Sequence, residues 1–201
     1  YLENNLFNLY ELLRNRSYKP GRYKQFYVRD PKLRLIHKAS VKDRVIHHIV
    51  SRELEKIFEP TFYAHSYSCR KNKGTHRGVY AMQSMARKVS KNNTKTCWVL
   101  KCDIKKFFAS INHKALLEIV SKKIGDQDFL DLLEKIIDSF YSDRTKDLHN
   151  KKGIPIGNLT SQYFANIYLN EFDQFMKHNL KVKHYIRYAD DFAILSNDKS
   201  Y

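Results

Sequence analysis

The chain has 201 residues, with 37 Lys and Arg against 21 Asp and Glu, a formal net charge of +16. That length suits one large domain or two small ones, and a hydrophobic content of 42% takes the chain out of the disordered class. No apolar run approaches the roughly 20 residues a membrane-spanning helix needs, which excludes an integral helical membrane protein. Cys69, Cys97 and Cys102 show no CxxC spacing and cannot all pair, so a reducing, cytoplasmic compartment is expected. The start at Tyr1, with neither Met nor a signal-like segment, reads as a trimmed piece of something longer.

In chain order, Leu2, Leu6, Leu9 and Leu13 predict a helix over 1–16, broken by Pro20-Gly21. A hairpin follows, with strands near Tyr23–Arg29 and Leu33–His37 and a turn at Asp30-Pro31. Val41–Phe58 is predicted as a helix with Val45, Ile49, Leu54 and Ile57 on its core face, ended before Pro60. Residues 61–77 are basic and irregular, and Gly74 and Gly78 frame the entry to a helix near Val79–Val89. Trp98–Ile104 reads as a buried strand. Helices are predicted near His113–Lys123 and Gln127–Tyr141, the second with Phe129, Leu132, Leu133, Ile136, Ile137 and Phe140 inward. A polar stretch, Ser142–Lys152, leads to Gly153-Ile154-Pro155-Ile156-Gly157. A helix near Ser161–His178 is expected to bury Phe164, Ile167, Phe172 and Phe175, and a hairpin from Lys183–Tyr188 to Phe192–Leu195 closes the chain. The order is α+β, with helices on one face of a small antiparallel sheet.

The charge is spread through the first half, at Arg14, Arg16, Lys19, Arg22, Lys24, Arg29, Lys32, Arg34, Lys38, Lys42 and Arg44 and again over 70–95. Fourteen Tyr and twelve Phe are interleaved with it. Such a surface can neutralise phosphates and stack bases, which favours a nucleic-acid partner over a merely solubilising shell or a membrane surface.

Three carboxylates stand out. Period-two alternation in Trp98–Ile104 puts Asp103 with Val99 and Lys101 on the face opposite Trp98, Leu100, Cys102 and Ile104. Asp190 and Asp191 fall at the tip of the last hairpin. Singly, each has an ordinary reading as a surface or turn aspartate. Brought together at one sheet edge, they make a hard-oxygen site for Mg²⁺, and two ions about 3.5–4 Å apart can serve phosphoryl transfer. Like charges so close call for a cation.

Four segments occur in a fixed order: Arg34…Asp43-Arg44-Val45, Asp103-Ile104-Lys105-Lys106-Phe107-Phe108, Gly153-Ile154-Pro155-Ile156-Gly157 and Tyr188-Ala189-Asp190-Asp191. This succession resembles a reverse transcriptase and spans most of the chain. The family implies the fingers and palm of a right-hand polymerase: fingers over about 1–97, palm over 98–201 with a fingers contribution near 120–152, and no thumb in this chain. It further implies Asp103, Asp190, Asp191 and the Ile104 carbonyl as ligands of two Mg²⁺ ions, with Mn²⁺ as a substitute. Phe108 matches the steric gate that rejects a ribose 2′-hydroxyl; its structural alternative is a core aromatic beside Phe107. Arg34, Lys38 and Arg44 match the basic fingers tip that meets a triphosphate, and spacing does not decide which of them touches it.

Where other branches carry Gln in a Pro-Gln-Gly loop, this chain has Ile156, and it continues as Asn158-Leu159-Thr160-Ser161-Gln162. The run Ile-Gly-x-x-x-Ser-Gln is similar to reverse transcriptases of diversity-generating retroelements, with group II intron and retron enzymes as close competitors. The resemblance assigns Ile156 and Gln162 to the nucleotide site. It implies an RNA template, a DNA or RNA primer, dNTPs, errors concentrated at template adenines and a small basic accessory protein. Alternatives are a non-catalytic nucleic-acid-binding module of polymerase-like fold and an RNA-directed RNA polymerase, which Phe108 opposes. No HExxH, Cys/His cluster or Walker loop appears.

Overall fold

A computed structural model describes residues 1–29, 32–142 and 151–200. The turn predicted at Asp30-Pro31 and residues 143–150 of the polar stretch lie outside the described residues. The chain divides into two compact units, Tyr1–Glu55 with Phe108–Ser161, and Lys56–Phe107 with Gln162–Tyr201. No helix among the described residues is long and apolar enough to cross a membrane.

The first unit opens with α1 (Leu2–Arg14), of which only Leu9 is buried. Strands β1 (Lys24–Arg29) and β2 (Leu33–Lys38) form the predicted antiparallel hairpin, with Lys24 opposite Lys38 and Arg29 opposite Leu33. Helix α2 (Val41–Phe58) has the predicted bounds but a different inner face. Ile46, Val50 and Leu54 are buried while Ile49 is 48% exposed. The reason is polar. Asp43, 1% exposed, accepts from the Tyr18 hydroxyl (2.8 Å), the Gly21 amide (3.1 Å) and the Ser40 hydroxyl (2.6 Å). His47, 3% exposed, shares a 2.6 Å hydrogen bond with the Thr160 hydroxyl. A count of apolar residues leaves both outside, although paired polar groups can be buried at little net cost. Burial, reinforced by the bond to Asp43, pushes the Tyr18 phenol up.

After the short α4 (Phe107–Ser110), helices α5 (His113–Ser121) and α6 (Gln127–Asp138) begin on capping side chains. Asn112 accepts from the Ala115 amide and Asp126 from the Phe129 amide. Leu133, Ile136 and Ile137 of α6 are buried as predicted.

The second unit holds α3 (Thr75–Val89) and a sheet of β3 (Trp98–Asp103), β4 (Tyr185–Tyr188) and β5 (Asp191–Ser196), ordered β3-β5-β4 and antiparallel throughout. The sheet is covered on both faces rather than the one expected. Ile186, Ala193 and Leu195 pack with Tyr67, Met85 and Val89, the last two from α3. The opposite face, Tyr185, Phe192 and Ile194, packs with Phe172, Met176 and Val182. Helix α7 (Leu159–Gln174) supplies Phe172, and a π-helical turn over Phe175–Asn179 supplies Met176. That wider turn takes Phe175 out of the predicted stripe, and it is 47% exposed. Strand β3 is not buried: Trp98, Val99 and Leu100 are 44%, 45% and 56% exposed. Among the described residues it is an edge strand with one hydrogen-bonded neighbour, so an apolar run gave the strand but not its burial.

Candidate active site

The pairing of β3 with β5 sets Asp103 directly opposite Asp191. Residues paired across antiparallel strands project to one face with Cβ atoms about 4.5–5.5 Å apart. Both carboxylates therefore lie side by side on the face that carries Lys101, whose ammonium is 3.7 Å from Asp191 Oδ1. Asp103 is exposed, and the Asp191 side chain retains 50% of its exposure. Asp191 is the first residue of β5, not part of the turn. Asp190 is in the two-residue loop between Tyr188 and Asp191, and its carbonyl accepts a 3.4 Å bond from the Ile104 amide. That bond fixes the backbone of the turn against the end of β3.

The turn is strained. Ala189 has φ +53°, a left-handed conformation costing a non-glycine residue roughly 1–2 kcal/mol. Its carbonyl accepts from Arg187 Nη1 at 3.0 Å. Arg187 is 1% exposed and paired with Asp173, 0% exposed, through Nε at 2.8 Å and 3.0 Å and Nη2 at 2.6 Å. The Tyr185 hydroxyl donates to the same carboxylate at 2.7 Å, and burial beside Asp173 pushes that phenol up. Sequence reading passed over this pair. Two signals were present: alternation in Tyr185-Ile186-Arg187-Tyr188 puts Arg187 on the side of the core-facing Tyr185, and Asp173 interrupts the inward stripe of α7.

Among the described residues, no three His, Cys, Asp or Glu side chains form a group that could hold a metal ion. Two of the three expected carboxylates do converge, as hard oxygen donors on one exposed face with a lysine ammonium as local counter-charge. That donor set fits a divalent cation such as Mg²⁺, which binds through one or two carboxylates and keeps several waters.

The other predicted residues divide between the units. In the first, backbone hydrogen bonds tie together the segments carrying most of them. The Phe108 carbonyl accepts from the Ile154 amide at 2.8 Å, and the Ile156 carbonyl accepts from the His37 amide at 2.9 Å. The Asn158 side chain donates to the His37 carbonyl at 3.0 Å. The Gly153–Gly157 loop is thus stitched to α4 on one side and to β2, which bears Arg34 and Lys38, on the other. Gly157 sits at φ +109°, and a Cβ there would be 2.7 Å from Ile36 Cγ2. Arg34, Lys38 and Arg44 are exposed; Phe108 and Ile156 are half-buried. Gln162 is exposed on α7, in the second unit. His37, buried beside Tyr23 and Phe140, leaves Nδ1 without a hydrogen-bond partner among the described residues, and its burial pushes the imidazole pKa down.

An uncharacterized 91 kDa protein in the cob intron of Schizosaccharomyces pombe is 33% identical over 143 residues, 71% of this chain and 17% of that protein. The group II intron-encoded protein LtrA of Lactococcus lactis subsp. cremoris is 27% identical over 186 residues, 91% of this chain and 30% of that protein. The chain thus spans less than a third of the length of these relatives. Among solved structures, telomerase from Candida albicans in complex with a fragment of telomeric RNA has a TM-score of 0.58 at 12% identity, over 96% of this chain and 42% of that one. That likeness shows the fold, the fingers and palm of a right-hand polymerase. A family model described as reverse transcriptase (RNA-dependent DNA polymerase) matches residues 20–201, and the chain belongs to that family.

Proposed function

We propose that the protein is an RNA-directed DNA polymerase that copies an RNA template into cDNA by extending a DNA or RNA primer with dNTPs. The observation that carries this reading is the pairing of Asp103 with Asp191 at the end of the sheet, in a chain of the reverse transcriptase family. Reverse transcriptases as a family use divalent metal ions. Asp103, Asp191, Asp190 and the Ile104 carbonyl are the groups that would hold two Mg²⁺ ions. Bound there, such ions would lower the pKa of a primer hydroxyl and neutralise charge on the leaving pyrophosphate.

The chain's own residues do the rest. Lys101 offsets the repulsion between the two carboxylates. Arg34, Lys38 and Arg44 are exposed cations suited to a triphosphate. Phe108, anchored through its carbonyl to Ile154, excludes a 2′-hydroxyl, and Ile156 and Gln162 bound the nucleotide. Residues 1–97 act as fingers and 98–201 as palm, with 120–152 contributing to the fingers. The three free cysteines accord with a reducing cytoplasm.

The test is primer extension on an RNA template with Mg²⁺, using the protein at its full natural length and Asp190→Ala/Asp191→Ala as control. Extension with dNTPs that vanishes in the control supports the reading. Template binding without extension turns it into a nucleic-acid-binding module.

The relatives favour a group II intron type of enzyme. One observation favours a diversity-generating retroelement instead. Ile156 lies in a loop held by backbone bonds, and an isoleucine side chain there would offer a nucleotide shape alone, with no hydrogen bond. Polar readout rejects wrong partners far better than apolar fit. On this second reading Ile156 relaxes fidelity at template adenines, and a small basic accessory protein joins the complex. Ile156→Gln then reduces misincorporation opposite adenine; an unchanged error spectrum returns the protein to the intron branch.

A further inference from the structure

Arg187 is buried and charged, lies three residues before Asp190, and is absorbed by none of the roles assigned so far. The hydrogen bonds its guanidinium makes among the described residues all fall within the second unit. Nε and Nη2 engage Asp173, while Nη1 donates to Asn166 Oδ1 at 3.2 Å and to the Ala189 carbonyl at 3.0 Å. Asn166 is held in turn, because its Nδ2 donates to the Ser68 carbonyl at 2.9 Å. The main chain of Arg187 is also fixed: its amide donates to the His65 carbonyl and its carbonyl accepts from the Tyr67 amide, both at 3.0 Å. A planar fork locked on three sides thus presents one N–H to the carbonyl of the one turn residue in left-handed backbone.

We propose that Arg187 is the positioning residue of the Ala189-Asp190-Asp191 turn. Its guanidinium, locked by Asp173 and Asn166, holds the Ala189 carbonyl and so keeps the left-handed backbone that sets the Asp190 carbonyl on the Ile104 amide, next to the paired Asp103 and Asp191 at the end of the sheet. The charge on Arg187 matters to the site through this geometry, since it is turned into the core rather than towards solvent. The inference rests on the nucleotidyl-transfer reading for its purpose, but its physical content is independent of catalysis. A buried ion pair alone would be unremarkable, because such pairs are often replaceable without loss of stability. The bond to Ala189 is what ties this one to the turn.

The separating variant is Arg187→Lys. It keeps a cation for Asp173, but an ammonium lacks the fork that reaches Asp173, Asn166 and Ala189 together. Two measurements are made on the full-length protein: amide hydrogen exchange across 188–191 without metal, and Mn²⁺ affinity from the resonance of the free ion. The clamp predicts at least tenfold faster exchange in the turn and about tenfold weaker Mn²⁺ binding, with a melting temperature near that of wild type. It further predicts that adding Ala189→Gly, which suits left-handed backbone, restores part of both. A purely structural pair moves the melting temperature and leaves turn exchange and Mn²⁺ affinity as in wild type; that result overturns the proposal. If Arg187→Lys does not fold, Arg187→Met/Asp173→Leu removes both charges together, and the same two readouts decide. Primer extension by the wild type is scored separately. If Arg187→Lys shows the clamp signature while the wild type extends no primer, the polymerase reading fails and the clamp stands.

Discussion

Asp103 and Asp191 face each other across β3 and β5 as partners in register, 88 residues apart in the sequence. Each is the residue of its strand nearest the hairpin turn, so the sheet brings two like charges together where its packing ends.

From that pairing, Asp103→Asn should remove extension by on the order of 10³-fold. It should also raise the melting temperature in EDTA by about 1–3 °C, since opposed like charges destabilise a strand pair. Mg²⁺ should stabilise the wild type and not the variant. Scanning calorimetry with and without Mg²⁺ checks this; a variant that melts lower in EDTA contradicts the repulsion argument.

Phe108→Val should relax sugar selection. A smaller side chain no longer meets a 2′-hydroxyl, and NTP use relative to dNTP use should rise on the order of 10- to 100-fold. Single-nucleotide incorporation with dCTP and CTP reads the ratio. An unchanged ratio would leave Phe108 as a packing residue.

Gly157→Ala should disturb the link between the loop and β2. At φ +109° an alanine is strained, and its Cβ would meet Ile36 Cγ2 at 2.7 Å. A cost of about 1–3 kcal/mol is expected, lowering the melting temperature by roughly 3–10 °C. Because β2 carries Arg34 and Lys38, the dNTP KM should rise more than kcat falls. Equal loss in both would show that the link is not used for nucleotide binding.

Stability should fall as pH drops below about 6.5. Burial lowers the pKa of His37, His47, His65 and His184 beneath the ordinary 6.5; at His47, Asp43 partly opposes this. Between 6.5 and those lower values the unfolded chain binds more protons than the folded one, so stability rises with pH across that window. Each group contributes at most about 1.4 kcal/mol per pH unit there. His47→Gln should flatten the melting-temperature profile between pH 7 and 5, and an unchanged slope would mean that His47 does not carry it.

Local pattern made much of the molecule legible. The bounds of α2, the strands of the two hairpins and the starts of helices α5 and α6 followed from the spacing of apolar residues and from Pro and Gly punctuation. The ordered motifs Asp103-Ile104, Pro155-Ile156-Gly157 and Ala189-Asp190-Asp191 pointed to the chemistry, because those residue types are what metal and nucleotide require wherever the chain folds.

What the sequence could not decide was which polar groups find partners and which apolar ones are left without. Asp43 and His47 are buried on α2 because Tyr18, Gly21 and Thr160, remote along the chain, satisfy them together with the neighbouring Ser40. Trp98 and Leu100 are exposed because β3 is the edge of its sheet. The Arg187–Asp173 pair exists because β4 and α7 are brought together, and only that meeting places a guanidinium under the Ala189 carbonyl. Residue type and spacing determine local conformation and the kinds of chemistry available. Burial of a polar group depends on partners distant in sequence, and so does the register that set Asp103 opposite Asp191; tertiary structure alone decided both.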